Sequence, residues 1–144
     1  MRMYYVFDVK DEVVSLYKDN PVNLFKILDR IYYMHREELD YGFNLFKQLT
    51  NRIKVKELDN RIYFYLHHDI TYSKTSEGHV INDLYNDEIS ILKIKSSHMV
   101  IQSNKSISLF FKILKDNYHN YFVCDFLEKD FFFIDDILCN IKNK

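Results

Sequence analysis

Apolar residues near the start of the chain predict a strand that is buried on both faces. Residues 3 to 9 read MYYVFDV, and both alternating sets of side chains in this segment are largely apolar. Alternate residues of a strand point to opposite faces of a sheet, and an edge strand or half-exposed strand would show polar residues in one of the two sets. We therefore expect an interior strand at the N-terminus.

The next apolar residues change to the spacing of a helix. Val13, Leu16 and Tyr17 are three and four positions apart, which places them close together on a helix surface. Asp11 is a suitable capping residue for this short helix. We expect the helix to end near Asp19.

Three longer helices are predicted before residue 70. The only proline, Pro21, suits the first position of a helix capped by Asn20, because its missing N–H has no helical partner to lose. Helical spacing also predicts a helix from about Arg36 to Leu49, although Gly42 weakens its interior. A helix over residues 56 to 68 is preferred to a strand, which IYFYL alone would also suit. The buried stripe of the first of these helices is Leu24, Phe25, Leu28, Ile31 and Tyr32.

The second half of the chain predicts mainly strands. Residues 69 to 87 are polar and contain a glycine, so they are interpreted as a long exposed loop. A hairpin follows, formed by EISILKIK and HMVIQS, and then a helix from about Ser106 to Asp116. The segments YFVCDF and DFFFIDDI complete the pattern as two more strands. The order predicts an α+β fold in one domain, residues 1–144, with a mainly antiparallel sheet of about five strands and several helices packed on it.

Composition and charge narrow the class of protein. The length of 144 residues is that of one domain, and the formal net charge of -1 is unlike the basic balance of most nucleic-acid-binding domains. Cys124 and Cys139 lack the spacing of a zinc site or a disulfide scaffold. Neither a signal peptide nor an apolar run of membrane-spanning length is recognisable. We expect a soluble cytoplasmic protein without a metal or another cofactor.

Candidate catalytic residues do not form a convincing group in the sequence. His67 and His68 are adjacent, and adjacent side chains diverge on a helix, so the pair is interpreted as a polar helix end. Cys124, Asp125 and His119 could supply a nucleophile, a base and an orienting group. Strand alternation, however, places Cys124 and Asp125 on opposite faces, which favours a core position for the cysteine. Phosphate-binding and hydrolase motifs are absent from the sequence, so a non-enzymatic binding protein is the leading hypothesis.

Two alternatives from other functional classes stay open at this point. The first is an enzyme or a metal-binding protein with a cleft around His67, His68 and the polar segment 69 to 87. The second is a nucleic-acid-binding surface, which requires four lysines to share one face. These lysines are Lys54, Lys56, Lys93 and Lys95.

Two long segments carry a resemblance to a known family. They are YYVFDVKDEVVSLYKDNPVNLFKIL at residues 4 to 28 and HMVIQSNKSISLFFKILKDNYHNYFVCDF at residues 98 to 126. In order, they contain a tyrosine-rich strand, a short helix ending in Tyr17, a helix around a Leu-Phe pair, a strand ending in Ile-Gln-Ser, a helix with a Phe-Phe pair and a strand ending in Asp-Phe. This order resembles the sporulation inhibitor of replication family, SirA, over nearly the whole length, and is weakest between about 50 and 90.

The resemblance implies a function and a set of contact residues. It implies a domain that binds the N-terminal domain of the replication initiator DnaA and restrains initiation, using aromatic residues of the short first helix and the C-terminal segment. The family's helix tyrosine falls on Tyr17, its phenylalanine one turn earlier falls on Val13, and a C-terminal proline falls near Asp136. We expect partner binding at these positions, with the ring lost at Val13 and the proline lost at Asp136. The alternative is that Val13, Leu16 and Tyr17 face the domain's own core.

Overall fold

Seven strands form one antiparallel sheet in the part of the chain that the structure describes. The structure, a computed structural model, describes residues 1–115 and 119–136. The strands are β1 Arg2–Asp8, β2 Tyr72–Thr75, β3 Gly78–Asp83, β4 Glu88–Ile94, β5 Met99–Ser103, β6 Tyr121–Asp125 and β7 Asp130–Phe133. The α-helices named here are α1 Asp11–Tyr17, α2 Pro21–Tyr32, α3 Leu39–Leu49, α4 Val55–Leu66 and α5 Leu109–Leu114. The predicted α+β class is confirmed, with seven strands in place of about five.

The N-terminal strand lies inside the sheet. The strand order is β2-β3-β4-β5-β1-β6-β7, so β1 has a neighbour on each side. Tyr4 is paired with Ile101 of β5, and Val6 is paired with Val123 of β6. The prediction of an interior strand from two apolar faces is therefore confirmed, because β1 is covered by side chains on both faces of the sheet.

Helices cover the sheet on both sides and form two apolar clusters. On one face, α4 and α5 pack on residues from β1, β3, β4, β5 and β6. On the other face, α1, α2 and α3 pack mainly on β1, β6 and β7, and this second group is called the aromatic cluster below. Its buried members are Phe7, Val9, Val13, Leu24, Phe25, Leu28, Leu49, Phe122, Cys124, Phe126 and Phe133.

The first two helices begin where the sequence predicts, but with different caps. Asp11 is the first residue of α1, and the residue in the capping position is Lys10 in an extended conformation. The prediction that Asp11 caps the helix is therefore wrong, although its carboxylate in the first turn interacts favourably with the helix dipole. Helix α2 begins at Pro21 with Asn20 in the capping position, as predicted.

Later helix boundaries also differ in part from the predictions. Helix α3 begins at Leu39 and not at Arg36, because residues Arg36–Glu38 form a 3-10 turn. The preference for a helix over a strand at residues 56 to 68 is confirmed by α4. Helix α5 begins at Leu109 because the Ser108 side-chain oxygen accepts a hydrogen bond from the backbone N–H of Phe110. The predicted end of this helix, Asp116, lies outside the described residues. None of the helices between residues 1 and 136, apart from the undescribed 116–118, is long and apolar enough to cross a membrane.

The interpretation of residues 69 to 87 as a long loop is wrong. They contain β2 and β3, which pair from Tyr72 with Ile81 to Thr75 with Gly78. Strand β2 lies at the sheet edge and its side chains are largely exposed, so it lacks the alternation of apolar residues by which a strand is recognised. The two buried residues of β3 are His79, which is polar, and Ile81. The strand therefore lacks the repeated buried apolar residues that would identify it in the sequence.

Candidate protein-interaction site

Helix α1 is anchored at its first turn by two other segments of the chain. The Lys10 backbone N–H donates to the carbonyl of Leu49 at 3.1 Å, which joins the start of α1 to the end of α3. The Asn120 side chain donates to the Asp11 carboxylate at 2.5 Å and to the carbonyl of Val9 at 3.4 Å. A helix of seven residues is too short to be stable alone, so its orientation depends on these contacts and on its packing.

The three apolar residues that define α1 in the sequence occupy different environments. Val13 is 5% exposed and belongs to the aromatic cluster, and Tyr17 is half-buried and packs against that cluster. Leu16 is 75% exposed. Successive residues rotate by about 100° around a helix, so Val13, Tyr17 and the half-buried Val14 form one continuous inward arc from which Leu16 is excluded.

A groove separates α1 from the segment that follows β7. Its volume is about 370 Å³. Asp136, the predicted position in the C-terminal segment, is exposed and lines this groove together with Val14 and Lys18 of the α1 region. The groove is lined by Val14, Lys18, Asp19, Asn120, Tyr121, Phe133, Asp135 and Asp136. The structure therefore brings together the two segments that the family resemblance pairs, across 122 positions of sequence between Val14 and Asp136. Of the three predicted contact residues, Asp136 lines the groove, whereas Val13 and Tyr17 do not.

Sequence reasoning did not single out the most exposed apolar side chain of α1. The spacing grouped Leu16 with Val13 and Tyr17, because residues three and four positions apart are neighbours on a helix. The signal that could have separated them is Val14, whose apolar side chain shifts the centre of the apolar arc away from Leu16. Asn120 was also missed, because a single polar residue before a strand has no distinctive pattern.

The adjacent histidines lie at the end of α4. The ring Nδ1 of His67 is 3.1 Å from the carbonyl oxygen of Tyr63 and 3.0 Å from that of Phe64, which are carbonyls of the last helical turn. The His68 ring lies beside the His67 ring, with centroids 3.7 Å apart, so the expectation that these two side chains diverge is wrong, whereas their position at a polar helix end is as predicted. Among residues 1–115 and 119–136, no three His, Cys, Asp or Glu side chains are grouped so that they could hold a metal ion.

The residues Cys124, Asp125 and His119 are not brought together. Cys124 is buried in the aromatic cluster, and burial raises the pKa of its thiol well above the usual value. Asp125 pairs with Arg2 at 2.9 Å, while Nδ1 of His119 lies 2.9 Å from the Asp8 carboxylate. The prediction that Cys124 is a core residue is confirmed, and Cys139 lies outside the described residues.

The four lysines proposed for nucleic-acid binding do not share one face. Lys54 precedes α4, which packs on the sheet face that contains Leu92. Lys93 alternates with Leu92 along β4 and is exposed, so it points to the opposite face. The arrangement that this hypothesis required is therefore not present.

The comparisons with known proteins support one family. The family model described as sporulation inhibitor of replication protein SirA matches residues 2–137 of the chain. The curated proteins that were searched include no match to this chain. The family match spans both α1 and the segment at Asp136, and thus both walls of the groove. The chain belongs to the SirA family of sporulation inhibitors of replication.

Proposed function

We propose that this protein inhibits the initiation of DNA replication in the cytoplasm by binding the N-terminal domain of the initiator DnaA. The proposed mechanism is protein contact without catalysis, with α1 and the segment at Asp136 as the contact surface. The observation that carries the proposal is that these two segments line one groove in a chain that belongs to a family of replication inhibitors. The resemblance of the sequence assigns the DnaA contact to the same two segments.

The exposed side chains of α1 would contact the partner directly, and the buried ones would keep the helix in position. Leu16 is exposed and Tyr17 is half-buried, so both have surface to offer to a partner. Val13 packs into the aromatic cluster and acts by holding the helix in place. Interfaces obtain most of their binding energy from a few anchors near their centre, most often Trp, Tyr or Arg, so Tyr17 is expected to contribute more than Leu16.

The charges at the groove favour a partner with basic or neutral groups at its rim. Asp19, Asp135 and Asp136 line the groove, and Lys18 is the one lysine or arginine among its described lining residues. Complementary charges at the rim of an interface mainly accelerate association and determine its orientation. Asp136, at the position where the family resemblance places a proline, adds one negative charge to the groove.

A titration of this protein with the N-terminal domain of DnaA from the same organism tests the proposal. Isothermal titration calorimetry should detect a one-to-one complex that is saturated at tens of micromolar. No heat of binding at that concentration, with both proteins shown to be folded by circular dichroism, would contradict the proposed partner. The same experiment with an unrelated folded domain of similar charge provides the control for nonspecific association.

Two substitutions on α1 test the proposed surface. We expect Tyr17→Ala to weaken the complex about thirtyfold, which corresponds to about 2 kcal/mol for the loss of a partly buried anchor. Leu16→Ser should also weaken it while the midpoint of thermal unfolding stays unchanged. The matched control is Leu84→Ser, since Leu84 is 90% exposed in the β3–β4 turn, away from α1. Equal binding by all three variants would contradict a role for α1.

A further inference from the structure

A second groove lies on another side of α1 and has a different character. It is enclosed by α3, the loop after α3, Lys10 before α1 and the β4–β5 turn, and its volume is about 670 Å³. It shares no lining residue with the groove at Asp136, as far as the described residues go. It is called the basic groove here because the cations in its lining are Lys10, Lys47 and Arg52. This surface is therefore separate from the one proposed to contact DnaA.

The walls of the basic groove are joined by backbone hydrogen bonds. The Asn51 N–H donates to the carbonyl of Asp8 at 2.7 Å, which joins the loop after α3 to the end of β1. The Ile53 N–H donates to the carbonyl of Ser96 at 2.8 Å, which joins the same loop to the β4–β5 turn. A preformed groove loses little conformational entropy when a ligand enters it, so its shape favours binding.

The charge of the basic groove contrasts with that of the whole chain. The formal net charge of the protein is -1, but none of the described residues that line this groove is acidic. Lys47 and Arg52 are exposed and Lys10 is partly exposed, so the three cations can approach a ligand from different walls. Opposite charge on the ligand would accelerate its association and would orient it in the groove.

An apolar wall accompanies these cations. Phe43 is 58% exposed and Phe46 is half-buried, and both line the basic groove from α3. The Lys47 ammonium lies 4.2 Å from the centroid of the Phe43 ring. The remaining lining is polar and neutral, with two serines, a threonine and an asparagine. The side chains of Ser97, Thr50 and Asn51 are hydrogen-bonded within the protein, to His98, Phe46 and Asp8 respectively. The surface thus offers two phenylalanine rings, the more exposed of which lies beside the Lys47 ammonium.

We propose that the basic groove binds a short acidic segment of a partner protein, with one aromatic or large aliphatic side chain against Phe43. Carboxylates beside that side chain would pair with Lys47 and Arg52. A single-stranded nucleic acid fits less well, because such ligands are usually held by several aromatic platforms along a basic track. Among the described residues that line this groove, Phe43 is the one exposed ring and the cations are three.

A synthetic peptide tests this inference directly. The probe is a fluorescein-labelled heptapeptide, Asp-Glu-Asp-Phe-Glu-Asp-Glu, titrated with the full chain at about 0.1 M salt and followed by fluorescence anisotropy. We expect binding in the range of tens of micromolar, and about a tenfold loss when serine replaces the phenylalanine of the peptide. Amide chemical shifts from ¹⁵N spectra should move at α3 and at the loop after it. No binding at millimolar protein, or shifts elsewhere on the molecule, would overturn the proposal.

Charge-reversal variants distinguish a specific site from general attraction. Lys47→Glu combined with Arg52→Glu should weaken the peptide at least tenfold, and Phe43→Ser about fivefold. The matched control combines Lys93→Glu with Lys112→Glu, which makes the same change in net charge at exposed positions outside the groove and should alter binding less than twofold. An equal loss in the control would overturn the proposal. So would tighter binding of a thymidine dodecamer that is lost in the Lys47 and Arg52 variant, since it would assign the groove to nucleic acid.

Discussion

The two ends of the sheet are built differently. Where β1, β6 and β7 lie, helices pack on both faces, and the neighbouring residues Phe122 and Val123 of β6 are both 0% exposed although they point in opposite directions. Where β3 and β4 lie, α4 and α5 cover one face. Leu92 of β4 is 0% exposed beneath these helices, whereas Ile89 on the other face is 44% exposed. We refer to these parts as the covered end and the open end.

The difference indicates why the proposed binding helix is located at the covered end. A seven-residue helix has little stability of its own, and the aromatic cluster provides the packing that keeps α1 in one orientation. Leu16 and Tyr17 can therefore be presented to a partner without prior ordering of the chain, which reduces the entropy cost of binding. The open end contributes a broad sheet surface but no comparable rigid helix among the described residues of that face.

Truncation of a core aromatic ring should have the largest effect on the free energy of unfolding. The loss should be larger at the covered end than for a comparable truncation at the open end. Phe122→Ala removes a side chain that is enclosed on the covered end, and we expect it to lower the free energy of unfolding by about 4 kcal/mol. Ile91→Ala removes a half-buried side chain from the open face of β4, and we expect a loss of about 1 kcal/mol. Urea unfolding followed by circular dichroism measures both. Losses of equal size would show that the open face is covered in solution.

Substitution of Gly78 at the open end, where the backbone conformation favours glycine, should have the next largest effect on the free energy of unfolding. Gly78 has a φ of 124°, and a Cβ added there would collide with the backbone carbonyl oxygen of Leu92. We expect Gly78→Ala to cost about 3 kcal/mol, because both the conformation and the contact are unfavourable for alanine. Gly42→Ala is the matched control. Its Cβ would meet the flexible end of the Met34 side chain, and alanine favours the α3 helix by about 1 kcal/mol, so little net change in urea unfolding is expected.

A smaller difference in the free energy of unfolding is expected between two truncations within α1. Val13→Ala should lower the free energy of unfolding by about 2 kcal/mol, since Val13 is buried in the aromatic cluster. Leu16→Ala should change it by less than about 0.5 kcal/mol, because the side chain is exposed. Thermal unfolding of the two variants under the same conditions measures this contrast. A reversed order would mean that Leu16 faces the core and that Val13 is available to a partner.

The smallest effect expected is a pH dependence at the open end. Burial lowers the pKa of His79 below its usual value of 6.5, although its hydrogen bond to Asp59 acts in the opposite direction. The unfolded chain therefore binds a proton at higher pH than the folded chain does, and stability should fall as the pH decreases below about 6.5 until it passes the folded pKa. The urea midpoint measured between pH 7.5 and 5 should fall less steeply for His79→Gln. Burial lowers the pKa of His98 too, so some dependence should persist. An unchanged slope would exclude His79 as a source.

Much of the covered end could be predicted because its residues follow strong local patterns. The two apolar faces of β1, Pro21 at the start of α2 and the helical stripe of α2 are all visible over fewer than about fifteen residues. The predicted stripe was wrong at its end, because Tyr32 is 47% exposed. The open end was predicted less well. The buried position of His79 depends on two hydrogen bonds of its ring. Its Nδ1 accepts from the Tyr72 hydroxyl, and its Nε2 donates to the carboxylate of Asp59, which is 20 positions away in α4, and no local pattern signals such a contact.

Local sequence patterns were sufficient for the α+β class, the interior position of β1, the hairpin of β4 and β5, and the resemblance to the SirA family. They could not decide which side of α1 faces outward, because Val13, Leu16 and Tyr17 are all apolar and the helix has only seven residues. Nor could they place Asp136 beside α1, since that approach depends on how β1, β6 and β7 are ordered in the sheet. Periodicity reports the environment of a residue relative to its own element, whereas a site formed by distant segments arises only when those elements pack together.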